Sequence, residues 1–349
     1  SGKGGGIFIQ NASPHFTNVT LSDNTASHGG GGVFCESGSN PIFVNTILWN
    51  DSPQEIYLAA DSDSVSISYS NLQDGQDSVI TNGGTVIWGS GNIDIDPMFA
   101  DTANGNYHLL ASSKLINAGN PDSTDSDGSQ ADIGAFPYLN TYSGPIWYIS
   151  TSGNDTTGTG AAGNAFASIQ AGINFSSSGD SITVAAGTYV ENIIFRNNDI
   201  KVVGEDVATT IIDGNNYGRV VTIQDGASNS LLSSFTIQNG YAFYDGSDMW
   251  SHTGGGISII GSDYVTIDNC IIKDNVADDR GSGAMLSADF AILKNSIITS
   301  NTGGWTGGVA VQGDLNVTLL NNTIINNTAN GLWLTSGADV ELVQCIIIN

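Results

Sequence analysis

The sequence predicts an all-β chain wound as a parallel β-solenoid, and three observations predict it. Six asparagines, Asn24, Asn50, Asn275, Asn301, Asn327 and Asn349, close six hydrophobic runs: VTLSDN, TILWN, CIIKDN, SIITSN, NTIINN and CIIIN. The steps are 26 residues from Asn24 to Asn50, then 26, 26 and 22 from Asn275 onward. A fixed period of this size means one supersecondary unit stacked on itself. Within the runs, apolar side chains recur at every second residue, the period of a strand. Helical periodicity is confined to one short stretch.

Aligning 264–275, 290–301 and 316–327 brings YVTIDNCIIKDN, FAILKNSIITSN and NVTLLNNTIINN together without a gap. Ile272, Ile298, Ile324, Leu21, Leu48 and Ile347 form one aliphatic column. Cys270, Ser296, Asn322, Val19, Thr46 and Cys345 form a smaller column two residues earlier. A second polar column holds Asn18, Asn45, Asn269, Asn295, Asn321 and Gln344. A further strand follows each glycine cluster: GGGIFIQ, GGGVFCE, GGGISII, GGVAVQG and NGLWLTS. Each strand pairs with its counterpart about 4.8 Å along the axis, so like residues stack. Stacked Asn side chains bond to one another as a ladder. Asn also tolerates the left-handed backbone of a sharp corner, as does glycine.

Residues 1–88 read as the last rungs of one solenoid. From 89 to 140 the periodicity stops, through GNIDIDPMFAD, GNYHLLASSKLINAGNPD and STDSDGSQADIGAFPY. Residues 141–146 read as a linker, and a second solenoid occupies 147–349. Phe166 to Phe175 is the one helical stretch, apolar at Phe166, Ile169 and Ile173, and suited to lie across an open end of the stack. The chain starts and stops inside rungs, so it is expected to be a segment of something longer.

Composition narrows the partners. Lys plus Arg total 8 against 34 Asp plus Glu, a net charge of −26. No basic surface exists to neutralise phosphates, which argues against nucleic acid. The acidic surface suits a calcium-rich or saline extracellular setting, and also plain solubility. No apolar run is long enough to span a membrane. Cys270 and Cys345 share a column three rungs apart, about 14 Å at the strand spacing, too far to bridge. With Cys35, they read as small core residues. His15, His28, His108 and His252 show no metal-ligand spacing.

The segment 147–195, with WYIS, a polar loop, a helix and GDSITVAAGTYVENI, resembles the start of right-handed parallel β-helix proteins of the pectate-lyase-like superfamily. The segment 92–136, with DIDPMFAD, YHLLASSKLINAGNPD, DSDG and ADIGAF, resembles the closing region of bacterial choice-of-anchor Q surface proteins. The GGGI-type rungs resemble polymorphic outer-membrane-protein repeats. The resemblance implies right-handed β-helix modules in tandem, a closing segment preceding an opening one. It also implies a secreted, cell-surface location, with neighbouring modules or surface glycans as partners. Saccharide-degrading members of the superfamily carry motifs absent here: no Gly-His-Gly, Asn-Thr-Asp or Arg-Ile-Lys occurs.

Two places could carry chemistry. The insert GYAFYDGSDMWSHTGGG and the next loops, VADDRGSG and TGGWTGG, fall side by side when rungs stack. They gather Tyr241, Tyr244, Trp250, His252, Asp278, Asp279, Arg280 and Trp305, with Trp333 outward on the following strand. Aromatic faces stack on the apolar faces of sugars, and charged groups take hydroxyls. Either this cluster binds an extracellular polysaccharide, or the aromatic rings pack the long loop down and Arg280 pairs locally with Asp278 or Asp279. The enzymatic alternative is a polysaccharide lyase or glycoside hydrolase using Asp278, Asp279 and Arg280, with Lys273 or Lys294 as base. The second place is Asp122, Asp125, Asp127 and Asp132, hard oxygen ligands beside a glycine turn that suit Ca2+ or form a solvated acidic turn.

Overall fold

The structure is a computed structural model that describes residues 2–224, 226–244, 252–335 and 337–349. The chain divides into two compact units, Ser1–Thr141 and Tyr142–Asn349.

The first unit is a stack of three-sided rungs. One parallel sheet runs Ile7–Gln10, Val33–Glu36, Ile56–Leu58, Val79–Ile80. A second contains His15–Thr17, Ile42–Val44, Ser64–Ser68 and Thr85–Trp88, and a third Thr20–Ser22, Ile47–Trp49 and Asn71–Leu72. Val33, Cys35, Phe43, Leu48, Ile56, Leu58, Val65, Ile67 and Leu72 point inward and form its core. The non-periodic segment after residue 88 includes an antiparallel pair, Phe99–Asp101 with Asn106–Leu109. It then returns to the third sheet. Asn120 N donates to Asn45 Oδ1 at 2.7 Å, Gly134 N to Asn45 O at 2.9 Å and Ala135 N to Thr20 Oγ1 at 3.1 Å. Gly134, at φ +118°, leaves no room for a Cβ against Ile47, which explains why the outward Ile47 is buried.

The second unit opens with Ile146–Ile149 and the helix Ile169–Phe175. The helix is three residues shorter at its start than the sequence predicts. Phe166 is still extended, with its N–H donating to Tyr148 O at 3.1 Å, and Asp155 Oδ1 takes the N–H of Ala167 at 2.7 Å. Ser168 then caps the helix by accepting from Ala171 N. Glu191 accepts the next two orphan donors, Ile169 N at 2.8 Å and Gln170 N at 3.0 Å. Ile169 and Ile173 are buried against the first strands of the unit.

Beyond the helix, among the described residues, parallel sheets of eight, seven and six strands carry the rungs to the end of the chain. The predicted aliphatic column is present: Ile272 pairs with Ile298, Ile298 with Ile324, and Ile324 with Ile347. It extends upstream through Ile237 and Ile212 to Tyr189. The three cysteines are free, and burial pushes the thiols of Cys35 and Cys270 up to about 12. No helix among the described residues is long and apolar enough to cross a membrane.

The asparagine ladder is real but narrower than the sequence spacing predicts. Asn301 Oδ1 accepts from both N and Nδ2 of Asn275, and Asn327 Oδ1 accepts from both N and Nδ2 of Asn301, each at 3.0 Å. In the first unit the partner of Asn24 is Asp51, not Asn50: Asp51 Oδ1 accepts Asn24 N at 2.7 Å and Nδ2 at 2.9 Å. Leu21 pairs with Leu48, so the step there is 27 and Asn50 falls one position early. Asn349 is early in the same way, since Ile324 pairs with Ile347. The corner lies one residue before the ladder, at Asp23, Asn50, Asp274, Ser300 and Asn326, with φ between 55° and 61°. Every member of the second polar column, from Asn18 to Gln344, has a left-handed backbone too, with φ between 50° and 55°.

Candidate functional site

Three short strands, Tyr241–Ala242, Val276–Ala277 and Thr302–Gly303, pair in parallel at the edge of the second unit. They place the starts of the three loops in register. Asp278 lies between the first two: Tyr241 Oη donates to its Oδ1 at 3.3 Å and Tyr244 N to its Oδ2 at 3.0 Å. The nearby Asp278 charge, with that hydrogen bond, raises the Tyr241 phenol above its ordinary value. Asp279 is 9% exposed and Trp305 N donates to its backbone carbonyl at 2.7 Å. Its Oδ2 takes Arg280 Nε at 2.7 Å and lies 3.5 Å from His252 Nε2.

Arg280 is held on a second side by Gln312, whose Oε1 accepts from Nη1 at 2.8 Å. The guanidinium carbon sits 4.7 Å from the centroid of the Trp333 ring. Gln312 is the residue that sequence reasoning missed. It lies in the quoted strand GGVAVQG, but 32 positions from Arg280, and only the reach of the arginine over the next rung joins them.

Tyr244 packs edge-on against His252 at 5.1 Å. Tyr244 and Trp305 remain 62% and 64% exposed, so two large rings keep open surface beside the charged cluster. Among the described residues, His252 Nδ1 is buried without a hydrogen-bond partner. Trp250 falls in 245–251, outside the described residues. Lys273 and Lys294 do not belong to the cluster. Lys273 lies in the seven-stranded sheet and pairs with Asp274 at 3.3 Å; Lys294 lies in the eight-stranded sheet and pairs with Asp268 at 3.5 Å. The corner at Asp274 turns the chain between Lys273 and Asp278, so closeness in sequence does not put them on one face.

The aspartates at 122–132 work as acceptors for their own loop. Asp132 is 2% exposed and takes Asn117 N and Tyr138 N, both at 2.7 Å. Asp125 Oδ2 takes Asp132 N at 2.8 Å, Asp127 takes Ser129 and Asn140, and Asp122 is exposed. Among the described residues, no three His, Cys, Asp or Glu side chains converge to hold a metal ion. Burial, with smaller contributions from the Asp125 and Asp127 charges, pushes Asp132 up to about 7. The native state therefore keeps a proton that the unfolded chain has lost between about pH 4 and pH 7. Stability of the first unit should fall as pH rises through that window, then level off. At about 1.4 kcal/mol per pKa unit the contribution is at most about 4 kcal/mol. Denaturant unfolding at several pH values checks this: Asp132→Asn should flatten that part of the slope, and an unchanged slope contradicts it.

Residues 223–349 match the family model described as the right handed beta helix region. A search of the curated proteins gives no match. Among solved structures, the chain is similar to a pectin methylesterase from carrot, with 13% identity and a TM-score of 0.32, over 60% of this chain and 84% of that one. The pairing of successive rungs makes the chain an all-β parallel β-solenoid, and the match over residues 223–349 is consistent with a right-handed β-helix.

Proposed function

We propose that the chain is a stiff segment of a secreted bacterial surface protein built from β-helix modules, and that the loops around Arg280 bind a saccharide. The observation that carries this reading is the state of Arg280. Its guanidinium is fixed by Asp279 and Gln312 and rests against Trp333, so little side-chain entropy remains to be lost on binding. Carboxylates and the arginine suit hydroxyl groups, and the exposed rings of Tyr244 and Trp305 suit the apolar faces of sugars.

The reading is tested by affinity electrophoresis on a panel of neutral and anionic polysaccharides. Arg280→Ala should weaken retention by about tenfold or more, the loss expected for about 1.4 kcal/mol or more of charged hydrogen bonding. Thermal unfolding of the variant checks that its fold is intact. Equal retention of the two proteins, or none across the panel, contradicts the reading.

A second reading, polysaccharide cleavage, has one observation in its favour: the Asp279 carboxylate stands 3.5 Å from His252. Product release by the wild type, lost in Arg280→Ala with binding retained, would establish it in place of simple binding.

A further inference from the structure

The turn 51–55 of the first unit holds three buried oxygen atoms that meet no N–H or hydroxyl donor among the described residues: Asp51 Oδ2, Gln54 Oε1 and Glu55 Oε2. Asp51 is 7% exposed and Glu55 3%. The remaining carboxylate oxygens are already used. Asp51 Oδ1 accepts from Asn24, and Glu55 Oε1 accepts Asp51 N at 3.1 Å. Asp51, Gln54 and Glu55 line one cavity of about 460 Å³. Asp74 and Asp77 line it as well, and its lining includes no Lys, Arg or His.

Buried acceptors without donors are costly, and buried carboxylates without a counter-charge more so. The ladder shows what is unusual here. In the second unit the same position is an asparagine whose amide donates to a backbone carbonyl, as Asn301 Nδ2 does to Ile272 O at 3.0 Å. Asp51 gives up that donor and places a second acceptor there. Gly32 stands close by, and a Cβ on it would meet Asp51 Oδ2 at 2.6 Å. Three acceptors, two of them carboxylate oxygens, call for a partner that is purely positive. A water molecule supplies two donors and no charge. A hard cation takes carboxylate and amide oxygens together.

We propose that Asp51, Gln54 and Glu55 bind a hard divalent cation of the calcium class in the cavity beside the first unit's 51–55 turn. Asp74 and Asp77, lining the same cavity, deepen the negative potential that draws the ion in. The site differs in place and in ligands from the aspartates at 122–132.

Burial, and then the neighbouring Asp51 charge, raise the Glu55 carboxyl above its ordinary value, so a shared proton is the competitor for the ion. The test is run at one neutral pH. Thermal unfolding of the full chain is followed with calcium chloride, magnesium chloride or EDTA, and hydrogen exchange over 33–58 reports on the rungs concerned. Millimolar calcium should raise the first unit's transition by roughly 2–4 °C over EDTA and slow exchange at 51–55. Asp51→Asn restores the amide found at Asn275 and Asn301, keeps the fold, and should lose the calcium response; Glu55→Gln should lose it too. A transition that neither calcium nor magnesium moves overturns the proposal and leaves a proton shared by Asp51 and Glu55. A response retained in both variants overturns it as well, by placing the ion elsewhere.

Discussion

Asn301→Ala should destabilise the second unit by about 3–5 kcal/mol, the range for breaking a buried hydrogen-bond network. The side chain is fully buried and makes four hydrogen bonds. Its Oδ1 accepts two from Asn275, and its Nδ2 donates to Ile272 O and Asn327 Oδ1. Alanine removes all four at once and leaves the Asn275 N–H facing no acceptor. Each group left unsatisfied costs about 1–3 kcal/mol, and a small cavity adds to this. Asn301→Asp sharpens the test. It keeps the acceptor and loses the donor, so a deficit persists even though the shape is kept. Denaturant melts followed by intrinsic fluorescence give the values. A loss below about 1 kcal/mol for alanine would show that strand pairing alone holds the rungs.

Phe166→Ala is the second large effect, expected at about 3–5 kcal/mol for a fully buried phenylalanine. Phe166 stacks on Phe175 at 5.2 Å and lies 6.3 Å from Trp147, all three at the opening of the second unit. Trp147 is itself fixed by its Nε1 donating to Asp180 Oδ2 at 2.8 Å. The truncation leaves a void under the capping helix, and the first rungs lose the surface that shields them from water. The effect should concentrate there. Hydrogen exchange should speed up in 181–195 far more than in 316–325. Uniform acceleration along the unit would mean that the stack unfolds as one cooperative block.

Much of this fold is written in the sequence because stacking repeats the same side chain at the same place. The aliphatic columns, Leu21 to Leu72 in the first unit and Ile212 to Ile347 in the second, are readable for that reason, and so is the alignment of the strands that start the three site loops. The ladder is less readable at Asn50. Rung length varies by a residue, and an asparagine one place early looks like the ladder residue when the true one is Asp51. The packing of 119–135 on Asn45 and Thr20 spans 75 and 115 residues and has no period, so no pattern announces it. At the candidate site, the cluster around Asp278–Arg280 follows from register alone. Gln312, and the exclusion of Lys273 and Lys294, depend on side-chain reach and on corners, which spacing does not encode.

The most direct measurement of the central claim is hydrogen exchange on the full chain, with and without a saturating oligosaccharide from the polysaccharide that it retains. Binding at the loops around Arg280 predicts slowed exchange at 276–282 and 303–306 and unchanged exchange in the first unit. Protection confined to other segments, or no protection at saturation, would contradict it.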